Sequence, residues 1–443
     1  MRSRVRILGS VAAAAALVLA ACGGDDDNGA EPDADEAAEE EPDAEEGEDE
    51  DGDEPSGEPI VVGSTLSLTG AFGATGVIHQ IVGEQFVERL NENGGLLGRP
   101  VEWELLDDES DTAQITPLYE RLINEEQVDL IIGPYATPNI IPAVAVAERA
   151  GYTIPHHTAI HAPLLEYQCQ FPSWSMDPQP DEYTSELLFD MLASLPEPPE
   201  TIALVTNESG STQPMTEGFV EQGVGEGMLG LAPDYDLEVV EQLGYPPGNQ
   251  EWGSIATQLR DADPDVVINN GLGVDPVGII EAMEQLDYRP PMFFSLFPAP
   301  GPLLGAGEPA EGTLSVSLFE PNDALIDQYG EEVRGIVDEF RQRAEDEGLP
   351  YTAFETQATA SWNAWEILAG AVEGAGTVDQ EELCNYLIDN GVETTFNGHL
   401  DFDPDSNNFW ETNVGLKQIQ DGDWVMVWPE DRAAADVVPP SGN

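Results

Sequence analysis

The chain predicts an α/β protein of two lobes, each built on a parallel sheet. Three observations carry this. From residue 60 onward, short apolar runs alternate with stretches of helical spacing, the rhythm of strand–helix–strand units. The runs are apolar throughout rather than at every second position, as in strands covered on both faces. Residues 60–443 are too many for one core, so two are expected.

What precedes the first strand is of another kind. Residues 1–22 read as an export signal: Arg2, Arg4 and Arg6 are basic, Val11 to Leu19 is apolar, and the run is too short for a membrane span. It ends in Leu19-Ala20-Ala21-Cys22, which resembles the bacterial lipoprotein cleavage box, so Cys22 is the expected lipidated residue. Residues 23–59 hold twenty acidic residues, no basic one and no aromatic one. Such a segment buries too little apolar surface to fold and repels itself. It reads as a solvated spacer, with calcium binding the minor alternative.

The net charge is −73. Twenty of the 87 acids lie in the spacer and three of the 14 basic residues in the leader, which leaves the folded part near −56. That excludes nucleic acid and anionic membrane surfaces as partners. It also points to a salty or alkaline habitat, where ions screen the self-repulsion; the chain reads as halophilic.

The first unit sets the pattern. Ile60-Val61-Val62 opens a strand, glycines recur at Gly70, Gly73 and Gly76, and Ile78, Ile81, Val82, Phe86 and Leu90 follow helical spacing until Gly94-Gly95. A second strand, Val101 to Leu106, runs into Asp107-Asp108. Ile115, Leu118, Leu122 and Ile123 mark the next helix, expected to start at Pro117 with Thr116 as its cap. Strands follow at 128–132 and 152–155, with a helix around Val144 to Arg149 between them. The rhythm repeats in strands at 201–206, 266–270 and 292–296, with Trp252, Ile255 and Leu259 on a helix. A run at 313–318 leads to helices around 323–347, 353–374 and 379–390. Asp421-Gly422, between apolar runs at 414–420 and 424–428, predicts a hairpin.

Ile-Val-Val-Gly-x-x-x-x-Leu-Thr-Gly from Ile60, Leu-Asn-x-Asn-Gly-Gly-x-x-Gly-Arg from Leu90, the Asp107-Asp108 strand end, Val-Asp-Leu-Ile-Ile-Gly-Pro-Tyr from Val128 and the Gln420–Pro429 ending together carry a resemblance. They look like the leucine/isoleucine/valine-binding class of ABC-importer substrate-binding proteins, over about 60–430. The resemblance implies a type I periplasmic binding protein: two Rossmann-like lobes joined by a three-crossing hinge, with a small-molecule ligand clamped between them and no cofactor. The implied division is leader 1–22, linker 23–59, first lobe 60–178 and 313–410, second lobe 179–312, and a return to it with the tail at 411–443. The implied partners are a small solute and an ABC permease. The chain is expected to be a monomer, extracytoplasmic, and attached to the membrane by its lipid.

The resemblance also implies ligand residues. Position by position these are Phe72, Thr75, Tyr135, Ala136, Thr137, His156 and Thr158 from the first lobe, and Ser211, Gly273 and Phe297 from the second. Where amino-acid binders of this class place an acid for the ligand's ammonium, this chain has Phe297; Asp275 is the candidate substitute. Cys169 and Cys384 both map to the first lobe, and export permits a bridge between them; two buried thiols is the other possibility. His157 and His161 are four apart, a metal-binding spacing on a helix, but Pro155 and Pro163 disfavour a helix there and no metal is expected. Acidic pairs are too common in this chain to signal catalysis. No nucleophile elbow, phosphate loop or His-Glu-x-x-His occurs, so an enzyme is not expected. A ligand-sensing module on the same fold stays open as the alternative to an importer receptor.

Overall fold

The computed structural model describes residues 6–7, 55–157, 166–177, 179–219, 225–320, 326, 329–406, 408, 410 and 414–438. Cys22, the acidic spacer, Thr158 and His161 lie outside the described residues.

The first sheet has the order β1-β3-β2-β4, all parallel, from β1 (Arg6–Ile7), β2 (Ile60–Leu66), β3 (Val101–Asp107) and β4 (Leu130–Ile131). A 2.7 Å bond from Gly133 N–H to Pro155 O carries the layer on to β5 (Ile154–His156), which pairs in parallel with β6 (Gln170–Pro172). Helices α1 (Gly73–Glu92), α2 (Thr112–Asn124) and α3 (Thr137–Ala150) connect these strands. Ile60, Val62 and Leu66 of β2 are buried, as are Ile78, Ile81 and Val82 of α1. Close packing of α1 on β2 needs Gly76: a Cβ there would stand 1.9 Å from the Ser67 carbonyl oxygen.

The start of α2 differs from the sequence expectation. It begins at Thr112, capped by Asp111, whose carboxylate accepts from Ala113 N–H at 3.0 Å; Pro117 sits inside the helix. A good cap and the buried face of Ile115, Tyr119 and Leu122 outweigh the one helical bond that proline removes.

The second sheet has the order β15-β14-β11-β10-β9-β7-β8. Its parallel part comprises β7 (Thr201–Asn207), β8 (Glu238–Tyr245), β9 (Val266–Gly273), β10 (Met292–Pro298) and β11 (Leu314–Ser317). Then β14 (Gly415–Gln420) and β15 (Asp423–Trp428) add an antiparallel hairpin. Asp421 and Gly422 both take positive φ, 54° and 81°, the turn that matches strand twist. The strand β8 had no clear sequence signature. It is an edge strand, with Glu238 exposed and the register shifting past Val240.

The chain leaves the first-lobe strands after Pro172, enters the second sheet at Thr201, leaves it after Ser317 and returns at Gly415. Between the last two points lie α10 (Glu331–Asp346), α11 (Thr356–Ala375) and α12 (Gln380–Asn390). Of these, α11 packs along α1, and a Cys169–Cys384 disulfide joins the segment before β6 to α12. One apolar core runs through both lobes, from Ile60 and Trp365 to Ile202 and Phe294.

Candidate functional site

The carboxyl ends of both parallel sheets face each other. In the first lobe the glycine-rich loop after β2 is held from below. Asp107 accepts from Leu68 N–H at 3.0 Å and from the Thr69 hydroxyl at 2.9 Å. Asp108, fully buried, accepts from the Thr65 and Ser67 hydroxyls and from Ser110 N–H. The Ser110 hydroxyl donates to Thr69 O and accepts from Phe72 N–H at 3.1 Å. The acidic strand end therefore serves structure, and it fixes Phe72 at the mouth of α1.

Phe72 meets Tyr135 edge-on at 5.9 Å between ring centres. Burial pushes the Tyr135 phenol up, with the Thr75 hydroxyl opposing, so three of the expected residues, Phe72, Thr75 and Tyr135, come together. Ala136, with φ 71° and ψ 137°, turns the chain from β4 into α3, and Thr137 is the first residue of that helix. His156 is fully buried and donates from Nε2 to Gln170 Oε1 at 2.5 Å. Burial lowers its imidazole to about 4, against the Gln170 bond.

The structure adds His79, which the sequence did not single out, and sets His157 beside it. His79 of α1 stacks 5.0 Å from Tyr135 and 4.3 Å from His157, and neither of its ring nitrogens has a partner at hydrogen-bond geometry. Burial takes His79 down to about 3, opposed by the neighbouring Gln357 side chain. His157 is lowered by burial and then by the two neighbouring histidines, and its Nδ1 is also unpartnered. The cluster is thus neutral and polar. Within the described residues no group of three or more His, Cys, Asp or Glu side chains could hold a metal ion.

The second-lobe rim lies at the ends of β7, β9 and β10. Asp275 opens α8 (Asp275–Glu284), and its Oδ2 accepts from Asn207 Nδ2 at 2.8 Å, Tyr245 OH at 2.9 Å and Leu272 N–H at 3.2 Å. Burial raises its carboxyl and those bonds oppose the rise. Ser211 is buried with an unpartnered Oγ. Gly273 has φ +56°, and a Cβ there would lie 3.6 Å from Ala71 O of the first lobe. Phe297 is buried and meets Trp174 edge-on at 5.8 Å; the Trp174 Nε1 has no partner. The lobes therefore approach each other at Ala71/Gly273 and at Trp174/Phe297. Trp174, like His79, carries no local sequence signal, because the neighbours that give it meaning come from distant segments.

Two α/β lobes whose facing rims carry buried, unspent polar atoms define a solute-binding protein. The periplasmic binding protein family matches residues 59–423, and the chain belongs to that family, in its branched-chain amino acid type. Its homologues and fold are those of periplasmic binding proteins, which bind ligands rather than catalyse, and the family implies an extracytoplasmic location. It is 24% identical over 234 residues to the Leu/Ile/Val-binding protein homolog 8 of Brucella abortus, covering 52% of this chain and 54% of that protein; the chain thus spans about half the length of that relative. An amino acid binding protein of Pseudomonas aeruginosa is 21% identical over 339 residues, 76% of this chain and 84% of the relative. Among solved structures, a solute-binding protein of R. palustris in complex with benzoate matches with a TM-score of 0.67 at 18% identity, covering 86% of this chain and 98% of the other. LivJ of Streptococcus pneumoniae with isoleucine matches with a TM-score of 0.66 at 17% identity, covering 86% and 100%. At these identities the structural likeness shows the fold alone. No helix among the described residues is long and apolar enough to cross a membrane.

Proposed function

We propose that the chain captures a small solute for an ABC importer, and that this solute has an acceptor-rich head and an apolar or aromatic body. One observation carries the solute class. Unpartnered polar atoms near the facing rims include those of the neutral groups His79, His157, Trp174 and Ser211, with Gln357 Oε1 and Asn207 Oδ1 beside them, while the nearby carboxylate Asp275 already serves three donors of its own lobe. An α-amino acid brings an ammonium that needs a buried anion or several acceptors, and Phe297 stands where the resemblance would supply one. Phe72, Tyr135, Trp174 and Phe297 suit an apolar body. Thr137, Ser211 and the ring N–H groups suit a carboxylate or amide oxygen.

Calorimetry with benzoate and short amides beside leucine, isoleucine and valine tests this. The expected result is binding of the first group. Submicromolar leucine binding that Asp275→Asn abolishes would overturn it and give Asp275 the ammonium role. That leucine reading stays second because relatives are named for leucine, isoleucine and valine.

The proposed tether is a lipid on Cys22. Loss of detergent-phase partitioning in Cys22→Ser is its check. The proposed working medium is salty: the melting temperature of the folded part should rise from low salt to molar potassium chloride as repulsion is screened. A flat curve would remove that reading.

A further inference from the structure

Glu320, Lys417 and Glu355 meet where the lobes join, and their exposures are 3%, 3% and 2%. Lys417 lies on β14, and Glu320 follows the adjacent strand β11 by three residues. Glu355 belongs to the first lobe: it caps α11, accepting from Gln357 N–H at 3.0 Å. The Lys417 ammonium donates to a Glu320 oxygen and stands 3.5 Å from Glu355 Oε2. The Lys417–Glu355 contact is therefore the limb that crosses between lobes. The Ser317 hydroxyl donates to Glu320 at 3.2 Å, and Lys417 sits 4.6 Å from the centre of the Trp424 ring. The other groups that feel the triad are Tyr351 and Tyr135, both pushed up by burial and so neutral. Asp423 and Arg341 act on Tyr351 from further out.

One ammonium here faces two carboxylates. If all three are charged, the cluster buries one uncompensated negative charge, an expensive arrangement. A proton on either carboxyl removes the excess. For the lobes to part here, Glu355 would leave with α11, together with Thr356, whose hydroxyl accepts from Leu318 N–H at 2.9 Å; water would then reach Glu355 and the proton would no longer be needed. We propose that this triad is a proton-linked latch: closing the lobes brings two carboxylates onto one lysine and takes up a proton from solvent, so acidification favours the closed form. The direction agrees with the surroundings of Glu320. Burial, together with the charge of Glu355, pushes its carboxyl up to about 7 against the pull of Lys417. Glu355 is raised for the same first reason. A carboxyl raised in one form and ordinary in the other favours the first form as pH falls from the raised value toward the ordinary carboxylate range. The inference goes beyond the importer reading and needs neither the solute nor a permease to be known.

Small-angle scattering of the full chain, without solute, reads the separation of the lobes between pH 8 and pH 5. In the unmodified protein the closed-to-open ratio should rise as pH falls, by up to about tenfold per pH unit within the window. Glu355→Gln carries no charge to compensate, so its compactness should not depend on pH over this range. Glu320→Gln, the second variant, should behave the same way. A separation independent of pH in the unmodified protein would overturn the latch, and so would a folded Glu355→Gln that follows the same pH curve. The emission of Trp424, read as the difference from Trp424→Phe, should titrate in the same window. Its persistence in both glutamine variants would equally overturn the proposal.

Discussion

On the second-lobe rim, Asp275 gathers Asn207, Tyr245 and Leu272 onto one oxygen, and Asn269 Nδ2 donates to the Tyr245 hydroxyl at 3.2 Å. On the first-lobe rim, His79 packs between Tyr135 and His157, and three ring nitrogens of the two histidines are unpartnered. The second rim has its carboxylate satisfied by its own lobe but leaves Asn207 Oδ1 and Ser211 Oγ unpartnered; the first leaves imidazole nitrogens unpartnered. A buried polar atom without a partner carries a desolvation cost, so the unpartnered atoms of either rim are the ones a ligand would improve. The difference is one of kind: a carboxylate held by its own lobe on one side, unpartnered imidazoles on the other.

The largest expected effect concerns how the first rim is held in place. The Cys169–Cys384 bridge joins two points of the first lobe and closes a loop of 215 residues that includes second-lobe strands β7 to β11, and the chain-entropy estimate for such a loop is about 5 kcal/mol. Reduction, or Cys169→Ser with Cys384→Ser, should lower the denaturant midpoint and let the first lobe unfold ahead of the second. Two free thiols in unreduced, unfolded protein would show that no staple exists.

A smaller effect is expected on the second rim. Asp275→Ala leaves three buried donors without their acceptor and should cost about 3 kcal/mol. Asp275→Asn retains an acceptor and should cost about 1 kcal/mol. Equal losses, measured by urea unfolding, would mean that the network is not what holds this rim, and the contrast between rims would fail.

The smallest is a difference in pH slope. His79 is held neutral down to about 3 in the folded protein, while an unfolded histidine takes up a proton near pH 6.5. The unfolded chain thus binds more protons, so this contribution is present above about pH 6.5 and is lost as pH falls toward 3. His79→Gln should be less sensitive to acid than the unmodified protein, by about 1 kcal/mol at pH 5.5. Parallel stability curves would show that His79 is charged or solvated, and would return it to the class of ordinary polar residues.

The alternation of strands and helices was legible because several core strands open on unbroken apolar runs, as at Ile60–Val62 and Val266–Ile268. The Asp421-Gly422 hairpin was legible because its turn chemistry is local. The true start of α2 was hidden by Pro117, whose local rule lost to the Asp111 cap and the buried face beyond it. The histidine cluster was legible only in part: His156 and His157 stood out in the sequence, His79 did not. His79 sits on an apolar helical face between Ile78 and Ile81 and reads as core. Its meaning comes from Tyr135, His157 and Gln357, which only the tertiary fold brings near. The same holds for Lys417, one charge in a strand until Glu320 and Glu355 surround it.

The edge strand β8 has a consequence for crowding. A sheet edge is a template on which another chain can add a strand, and receptors gathered densely on a surface would meet edge to edge. Here Glu238 and Gln242 are exposed along the strand, Glu241 is half-buried beside them, and the shift at Val240 breaks the regular spacing of bonding groups. Charge and bulge together make the edge a poor docking strand. The feature that hid β8 from sequence patterning is thus the one that should keep neighbouring copies from polymerising through it.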